Sequence, residues 1–130
     1  MHEVKIDRDH KLIDVHLSGF LSPTDADALA ADVRDSIQRL NAGRGEHVTL
    51  YDVAKVLIAP GVTIALLQGI FSDPSFRPFM AKRVAFVTRS ALGRLQLQRI
   101  CEGRDHFGIF DDRDSALEFL LATVPVSGQA

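Results

Sequence analysis

The residues best suited to chemistry lie where two predicted strands end. Asp52 is near the end of a strand predicted at His47–Val53. Arg89 and Ser90 close and follow a strand predicted at Arg83–Thr88. Ligands of open α/β sheets bind beyond the carboxyl ends of the strands, and a helix beginning after Ser90 would offer N–H groups, a hydroxyl and the Arg89 cation to an anion. Capping by Ser90 and Asp52 explains the same residues more simply, so they are candidates for ligand binding only.

The other reactive residue types form no catalytic or metal-binding pattern. The single cysteine, Cys101, excludes an internal disulfide and a cysteine-rich metal site. The five histidines lack metal-ligand spacing, such as two histidines one helical turn apart; they are His2, His10, His16, His47 and His106. The chain has neither a GxxxxGK phosphate loop nor a GxSxG elbow. We therefore expect no catalytic residue, no metal and no cofactor.

Length and charge indicate an ordinary globular domain. The chain has 130 residues, 46% of them apolar, and a net charge of −2 with a pI of about 6.2. This size suits one domain with a real core, and the charge balance does not indicate a nucleic-acid-binding protein. The charged start, MHEVKIDRDHK, lacks the apolar core of a secretory signal, so we expect a cytoplasmic protein.

The elements that must position these residues begin with a β-hairpin. Glu3–Ile6 and Lys11–Ser18 alternate apolar and polar residues around a charged turn. In the second strand Ile13, Val15 and Leu17 share one face. The opposite face carries polar side chains and is expected to be solvated, with Leu12 as its apolar member; it comprises Leu12, Asp14, His16 and Ser18.

A first helix is marked by a strong start signal. Ser22 can cap it, Pro23 suits the first helical position, and Asp25 stands where a capping-box acid would. Apolar residues then recur at helical spacing as far as Leu40, and Gly43 is the natural stop.

The stretch Val56–Ser72 (VLIAPGVTIALLQGIFS) contains no charged residue. It predicts a second helix beginning near Pro60-Gly61, with apolar side chains nearly all round. Such a helix is buried on both sides or meets another surface. The stretch is too short to span a membrane, which takes about 20 residues.

The remaining chain continues the alternation of strands and helices. A third helix over Ala91–Glu102 follows the strand Arg83–Thr88, and its apolar residues cover more than half its circumference. The strand Phe107–Phe110 and a helix capped by Asp111 or Asp112 complete the order ββαβαβαβα. The pattern predicts an α/β fold, with a mostly parallel sheet and an antiparallel N-terminal hairpin.

The ordered set of segments resembles the STAS/SpoIIAA-like group, especially its small stand-alone bacterial proteins with a CRAL-TRIO-like character. The matching segments span nearly the whole chain: the opening hairpin, LSGFLSPTDADAL, LYDVAKV before an uncharged helix, KRVAFVT, and FGIFDDRDSALEFLL. The resemblance implies a β-α superhelix with a five-stranded mixed sheet and helices mainly on one face. It also implies a single domain over residues 1–124, followed by a flexible tail, 125–130.

The resemblance also directs attention to the start of the second helix. Anti-sigma-factor antagonists of this fold have a DSSG-like turn there, with a serine that is phosphorylated. This chain has Asp52 at the matching strand end but reads Pro60-Gly61-Val62-Thr63 at the turn. The serine is missing, so we expect no phosphorylation switch of the usual kind. Thr63 is the nearest hydroxyl, and it joins Asp52, Arg89 and Ser90 as a candidate for ligand binding.

Val56–Ser72, the loop Phe76–Met80 and the third helix Leu92–Cys101 together hold more apolar surface than a one-sided helix layer should bury. Uncovered apolar surface marks an interface, so we expect the second and third helices to form a contact surface. The predicted contact surface consists of Leu66, Leu67, Ile70, Phe71, Phe76, Phe79 and Met80. A homodimer interface ranks first among its possible uses. The alternatives are a pocket for a lipophilic ligand under the Ser75–Ala81 loop, and peripheral docking to an anionic membrane through Arg77, Lys82 and Arg83.

The sequence thus predicts a non-enzymatic, homodimeric SpoIIAA-like regulatory or binding module. A lipophilic-ligand or peripheral membrane-binding protein is the alternative. A weaker alternative is an enzyme acting on a small anionic substrate, and it requires Asp52 and Ser90 to converge on one pocket.

Overall fold

The computed structural model of the protein describes residues 1–58 and 60–122, and the predicted tail 125–130 lies outside them. The elements are β1 (His2–Asp7), β2 (Leu12–Phe20), α1 (Pro23–Leu40), β3 (Val48–Ile58), α2 (Gly61–Ser72), a 3₁₀ helix (Pro74–Phe79), β4 (Arg83–Val87), α3 (Ala91–Cys101), β5 (Phe107–Phe110) and α4 (Arg113–Leu121). Apart from the added 3₁₀ helix, this is the predicted ββαβαβαβα order.

The five strands form one mixed sheet in the order β1-β2-β3-β4-β5. The hairpin pairs β1 and β2 antiparallel, and every later pair of neighbours is parallel. Parallel neighbours need a crossover connection, and here α1, α2 and α3 supply the connections after β2, β3 and β4. The predicted fold class, including the antiparallel hairpin, is confirmed.

The helices cover the two faces of the sheet unequally. α2 packs against both α1 and α3, and these three helices share the larger core with Ile13, Val15 and Leu17 of β2. Among the described residues, α4 is the only helix that packs on the opposite face, over β3, β4 and β5, where a smaller core includes Leu12 and Ala116. The predicted alternation of β2 is therefore present, and part of its polar face is left to solvent.

The first helix has the predicted capping box. The Ser22 Oγ accepts a hydrogen bond from the Asp25 N–H at 3.1 Å, and an Asp25 carboxylate oxygen accepts from the Ser22 N–H at 3.0 Å. At the other end Asn41 takes the left-handed conformation with φ 56° and ends the helix before Gly43. The fourth helix is capped by Asp112, one of the two predicted acids.

Strand β3 is longer than predicted. It continues past Val53 to Ile58, because the end of β2 also runs on and pairs with it from Ser18 to Phe20. The first residues of the uncharged stretch are therefore strand, and the helix begins at Gly61. β4 stops at Val87 opposite Asp52, so residues 53–58 of β3 extend beyond the end of β4 and keep only β2 as a neighbouring strand.

Candidate functional site

The four predicted polar candidates lie in three different environments. Asp52 and Arg89 both line an open polar groove beside the end of β3. Ser90 lines a separate cleft with Leu92 and Leu97 of α3. Thr63 is fully buried in the first turn of α2.

Asp52 belongs to a polar cluster on the solvated face of the sheet. The Arg113 guanidinium binds both carboxylate oxygens of Asp14, with Nη1–Oδ1 3.3 Å and Nη2–Oδ2 2.9 Å. Its Nη1 lies 3.6 Å from Asp52 Oδ2, and His16 Nε2 lies 3.2 Å from Asp14 Oδ1. The hydrogen bonds that Arg113 donates to Asp14 raise the pKa of its guanidinium above the ordinary value, and the charges of Asp14 and Asp52 add to this effect against a smaller one of burial. This cluster joins β2, β3 and α4.

The strand pattern predicted a solvated position for His16 but no interaction partners. Its ring nitrogens lie 3.2 Å from Asp14 Oδ1 and 3.9 Å from Asp52 Oδ2. Asp14 and His16 share a face by strand alternation, which was readable in advance. The third partner, Arg113, lies 99 residues from Asp14 in the chain, and its contact with Asp14 depends on how α4 docks on the sheet.

Asp52 and Ser90 each satisfy a local structural role. Asp52 Oδ1 accepts a hydrogen bond from the Ala54 N–H at 3.2 Å, and Ser90 Oγ accepts one from the Gly93 N–H at 3.0 Å as the cap of α3. The two residues line different cavities. Asp52 and Ser90 therefore do not converge on one pocket, as an enzyme that used both residues on one substrate would require.

Thr63 is placed where a kinase cannot reach it. Its side chain has no exposed surface, and its Oγ1 has no hydrogen-bond partner among the described residues. The neighbouring Val62 is 64% exposed but carries no hydroxyl. The first turn of α2 therefore offers no accessible hydroxyl group.

Much of the predicted contact surface is directed inward. Phe76 is buried, and Leu67, Phe71 and Phe79 pack against the larger core. Leu66, Ile70 and Met80 are half-buried. The Phe71 ring makes edge contacts with Tyr51, Phe76 and Phe107 at centroid distances of 6.4, 5.8 and 5.3 Å. The 3₁₀ helix Pro74–Phe79 folds the loop's aromatic residues into this cluster, which supplies the cover that the sequence appeared to lack.

The space under this loop is too small for a lipophilic molecule. The cavity lined by Phe76, Phe79 and Met80 has a volume of about 20 Å³, roughly enough for a single water molecule. Arg83, one of the three cations expected to meet a membrane, is buried and donates to the carbonyls of Phe119 and Ala122. The lipophilic pocket and the membrane-docking surface predicted at this loop therefore both lose support.

Large apolar side chains that remain exposed near the sheet's carboxyl edge include Phe20 at the end of β2, which is 52% exposed. Four others lie on β3, α2 and α3: Leu57 (81% exposed), Val62 (64%), Leu92 (66%) and Leu95 (60%). Leu57 and Leu92 face a shared cleft of about 180 Å³, whose other apolar lining includes Ile64 and Leu97. We call these four exposed residues the apolar patch. The wide stripe of α3 was a sequence signal for Leu92 and Leu95; Leu57 was missed because the extension of β3 was not predicted.

Cys101 and the histidines form no second site. Burial raises the pKa of the Cys101 thiol to about 11, against a smaller opposing effect of Arg104, so the thiol stays protonated near neutral pH. No group of three potential metal ligands occurs among residues 1–58 and 60–122. In the same residues, no helix has the length and hydropathy needed to cross a membrane.

Solved structures with the same architecture include two that cover nearly the whole chain. An anti-sigma factor antagonist from Mycobacterium paratuberculosis aligns with a TM-score of 0.61 at 14% identity, over 92% of this chain and 94% of that one. A protein with a SpoIIAA-like fold from Shewanella loihica PV-4 aligns with a TM-score of 0.62 at 19% identity, over 92% and 93%. No protein-family model and no curated protein matches the chain. The protein therefore has the SpoIIAA-like fold that its sequence segments resemble.

Proposed function

We propose that this protein is a non-enzymatic regulatory module that acts by binding protein through the apolar patch, and that a second copy of the chain is its first partner. The apolar patch is the observation that carries the proposal. A structural neighbour with this fold is an anti-sigma factor antagonist, which is a regulatory protein. The proposal moves the contact surface from the Phe76–Met80 region, where the side chains fold inward, to Leu57, Val62, Leu92 and Leu95.

The energetics of the patch favour burial against a partner. Fully burying one leucine side chain contributes about 1.5–3 kcal/mol, and Leu57, Leu92 and Leu95 are each more than half exposed. A few such side chains around a small pocket are the usual anchors of an interface. The stretches that carry these anchors, Val53–Ser72 and Thr88–Cys101, contain no acidic residue.

The dimensions of the cleft favour a protein partner over a lipid. Pockets for drug-sized ligands measure about 300–1,000 Å³, whereas this cleft measures about 180 Å³. A cavity of about 150 Å³ holds one benzene-sized group, so the cleft suits a single apolar side chain.

Regulation would not use phosphorylation at the start of α2, since Thr63 is buried.

Analytical ultracentrifugation over a wide range of protein concentration tests the proposal. We expect a monomer–dimer equilibrium that weakens when Leu95 is replaced by Glu. Flotation with vesicles containing acidic lipids at low salt is the companion measurement. A protein that stays monomeric at high concentration but floats with the vesicles would show that the patch binds membranes and would reject the protein-binding proposal.

A further inference from the structure

We propose that the cleft beside the extension of β3 binds an extended, acidic segment of a partner protein, which places one large apolar side chain in the cleft and pairs with the free edge of the strand. The inference rests on the proposed function, since it assumes that the apolar patch binds protein. It adds the conformation and the chemistry of the bound segment.

The free edge follows from the pairing of the sheet. β3 pairs with β2 as far as Ile58, but its pairing with β4 ends at Asp52. Among the described residues, no backbone hydrogen bond joins residues 53–58 to an element other than β2. An unpaired strand edge is a ready template for another strand, and adding an extended peptide to it is a common mode of recognition.

The edge is short and irregular, which limits what the backbone alone can contribute. The register of β2 against β3 shifts twice along the extension, between His16 and Ser18 and between Gly19 and Phe20. Such bulges interrupt a ladder of hydrogen bonds. Backbone pairing therefore aligns the bound segment along β3, and a side-chain anchor must supply most of the specificity.

The cleft provides the place for that anchor. Val53 and Leu57 of the extension form one wall, and Leu92 and Leu97 of α3 form the other. The volume of about 180 Å³ matches one leucine or phenylalanine side chain by comparison with a benzene-sized cavity of about 150 Å³.

Charge complementarity defines the other face of the segment. Successive side chains of a strand point to opposite faces, so residues flanking the anchor turn toward the polar groove. Lys55 and Arg89 line that groove and are exposed. Lys5 and the acids Glu3 and Asp52 also line the groove, and Asp52 is offset by Arg113. α3 adds Arg99 and has no acidic residue between Ala91 and Cys101, whereas its Arg94 is already paired with Asp111 at 2.7 Å. A segment alternating acidic and apolar residues fits these charges, whereas a basic segment would be repelled.

A phage-displayed library of nine-residue peptides without proline, randomised at every position, tests the inference. We expect selection to enrich acidic residues on both sides of one Leu or Phe. Synthetic copies of the selected peptides, titrated by calorimetry, should bind Leu92→Glu at least about tenfold more weakly than the wild type. Leu121→Glu, an exposed position on α4 at the opposite face, should bind them as the wild type does.

Backbone pairing has its own readouts. N-methylation of alternate peptide nitrogens should weaken binding about tenfold in one of the two registers, because it removes donors from the added strand. Hydrogen exchange should slow for amides of residues 53–58 when the peptide is bound. Failure to enrich any peptide, enrichment of basic peptides, or equal affinity of both N-methylated registers would overturn the inference. If dimerisation still depends on Leu95 in those cases, the proposed function stands without it.

Discussion

Arg113, at the start of α4, binds Asp14 in β2 through two hydrogen bonds of 3.3 and 2.9 Å, although 99 residues separate the two in the chain. Among the described residues, α4 is the only helix on this face of the sheet, and it packs mainly over β3, β4 and β5. The Arg113–Asp14 pair therefore ties α4 to β2, a strand that it does not cover extensively. Asp52 lies within 3.6 Å of the same guanidinium, so one cation offsets two carboxylates.

Replacing Arg113 with Ala should lower the free energy of unfolding by about 1–2 kcal/mol, because two half-buried carboxylates lose their shared cation. Urea unfolding at neutral pH measures this decrease in the free energy of unfolding. The matched control is Arg39→Ala, which breaks an exposed pair with Asp35 of 3.0 Å and should cost about 0.5 kcal/mol or less. Equal losses for the two variants would show that the Arg113 cluster contributes no more than a surface pair.

His47 should make the protein less stable as the pH falls. Its side chain is buried, and desolvation lowers its pKa from 6.5 to about 4. Because the unfolded chain takes up the proton first, stability is full above pH 6.5 and is lost as the pH falls from 6.5 toward 4. At about 1.4 kcal/mol per pKa unit, the loss is about 2 kcal/mol by pH 5.

Urea unfolding of the wild type and of His47→Leu at pH 7.5 and pH 5 measures this contribution. We expect the variant to lose less stability between the two pH values. His106 has a pKa lowered chiefly by burial and adds a loss of the same sign, so a small dependence should remain. A variant with the full pH dependence of the wild type would contradict the assignment to His47.

Ser22→Ala should lower the free energy of unfolding by about 1 kcal/mol, because it removes the acceptor that caps α1. The Asp25 N–H now bonded to Ser22 Oγ at 3.1 Å would lose its partner. Thermal or urea unfolding gives the value. Thr24→Ala, at an exposed position of the first turn, is the control and should leave stability nearly unchanged. An equally small effect of Ser22→Ala would mean that water replaces the cap without cost.

Thr63→Val should leave stability unchanged or raise it by up to about 1 kcal/mol. The hydroxyl is buried without a partner among the described residues, and a methyl group of similar shape carries no desolvation cost. Urea unfolding measures the change. A loss above about 1 kcal/mol would reveal that the hydroxyl makes a stabilising hydrogen bond.

Leu95→Glu should weaken self-association at least about tenfold while leaving the fold intact, because Leu95 is 60% exposed in the monomer. Sedimentation velocity at several concentrations gives the dissociation constant, and the far-ultraviolet circular dichroism spectrum checks the fold. Leu121→Glu on α4 is the matched control. Unchanged association of Leu95→Glu would place the dimer contact elsewhere.

Local signals in the sequence were sufficient to predict the architecture. The capping box of Ser22 and Asp25, the alternation of β2 and the position of Pro60-Gly61 each depend on neighbouring residues, so they could be read without knowing the fold. The order of strands and helices then limited the topology, since parallel strands need helical crossovers. The predicted bounds of α1 and β5 differ little from the observed ones.

Side-chain exposure on the second helix and the following loop could not be predicted in this way. Phe71 and Phe76 looked like surplus apolar surface, but the 3₁₀ helix and β5 bring Phe71, Phe76 and Phe107 together. The contact between Phe71 and Phe107 joins residues that lie far apart in the chain. Composition records how much apolar surface exists, whereas only packing decides which part is covered.

By itself, the sequence determined the strand and helix order, the caps, the lack of a serine at the start of α2 and the polar face of β2. The tertiary structure decided the location of the apolar patch and the grouping of the polar residues. Leu57 became exposed because β3 pairs with β2 beyond the end of β4, and Asp14 met Arg113 because α4 docks on the opposite face. Both depend on pairing between distant segments, whose register and docking no local pattern specifies.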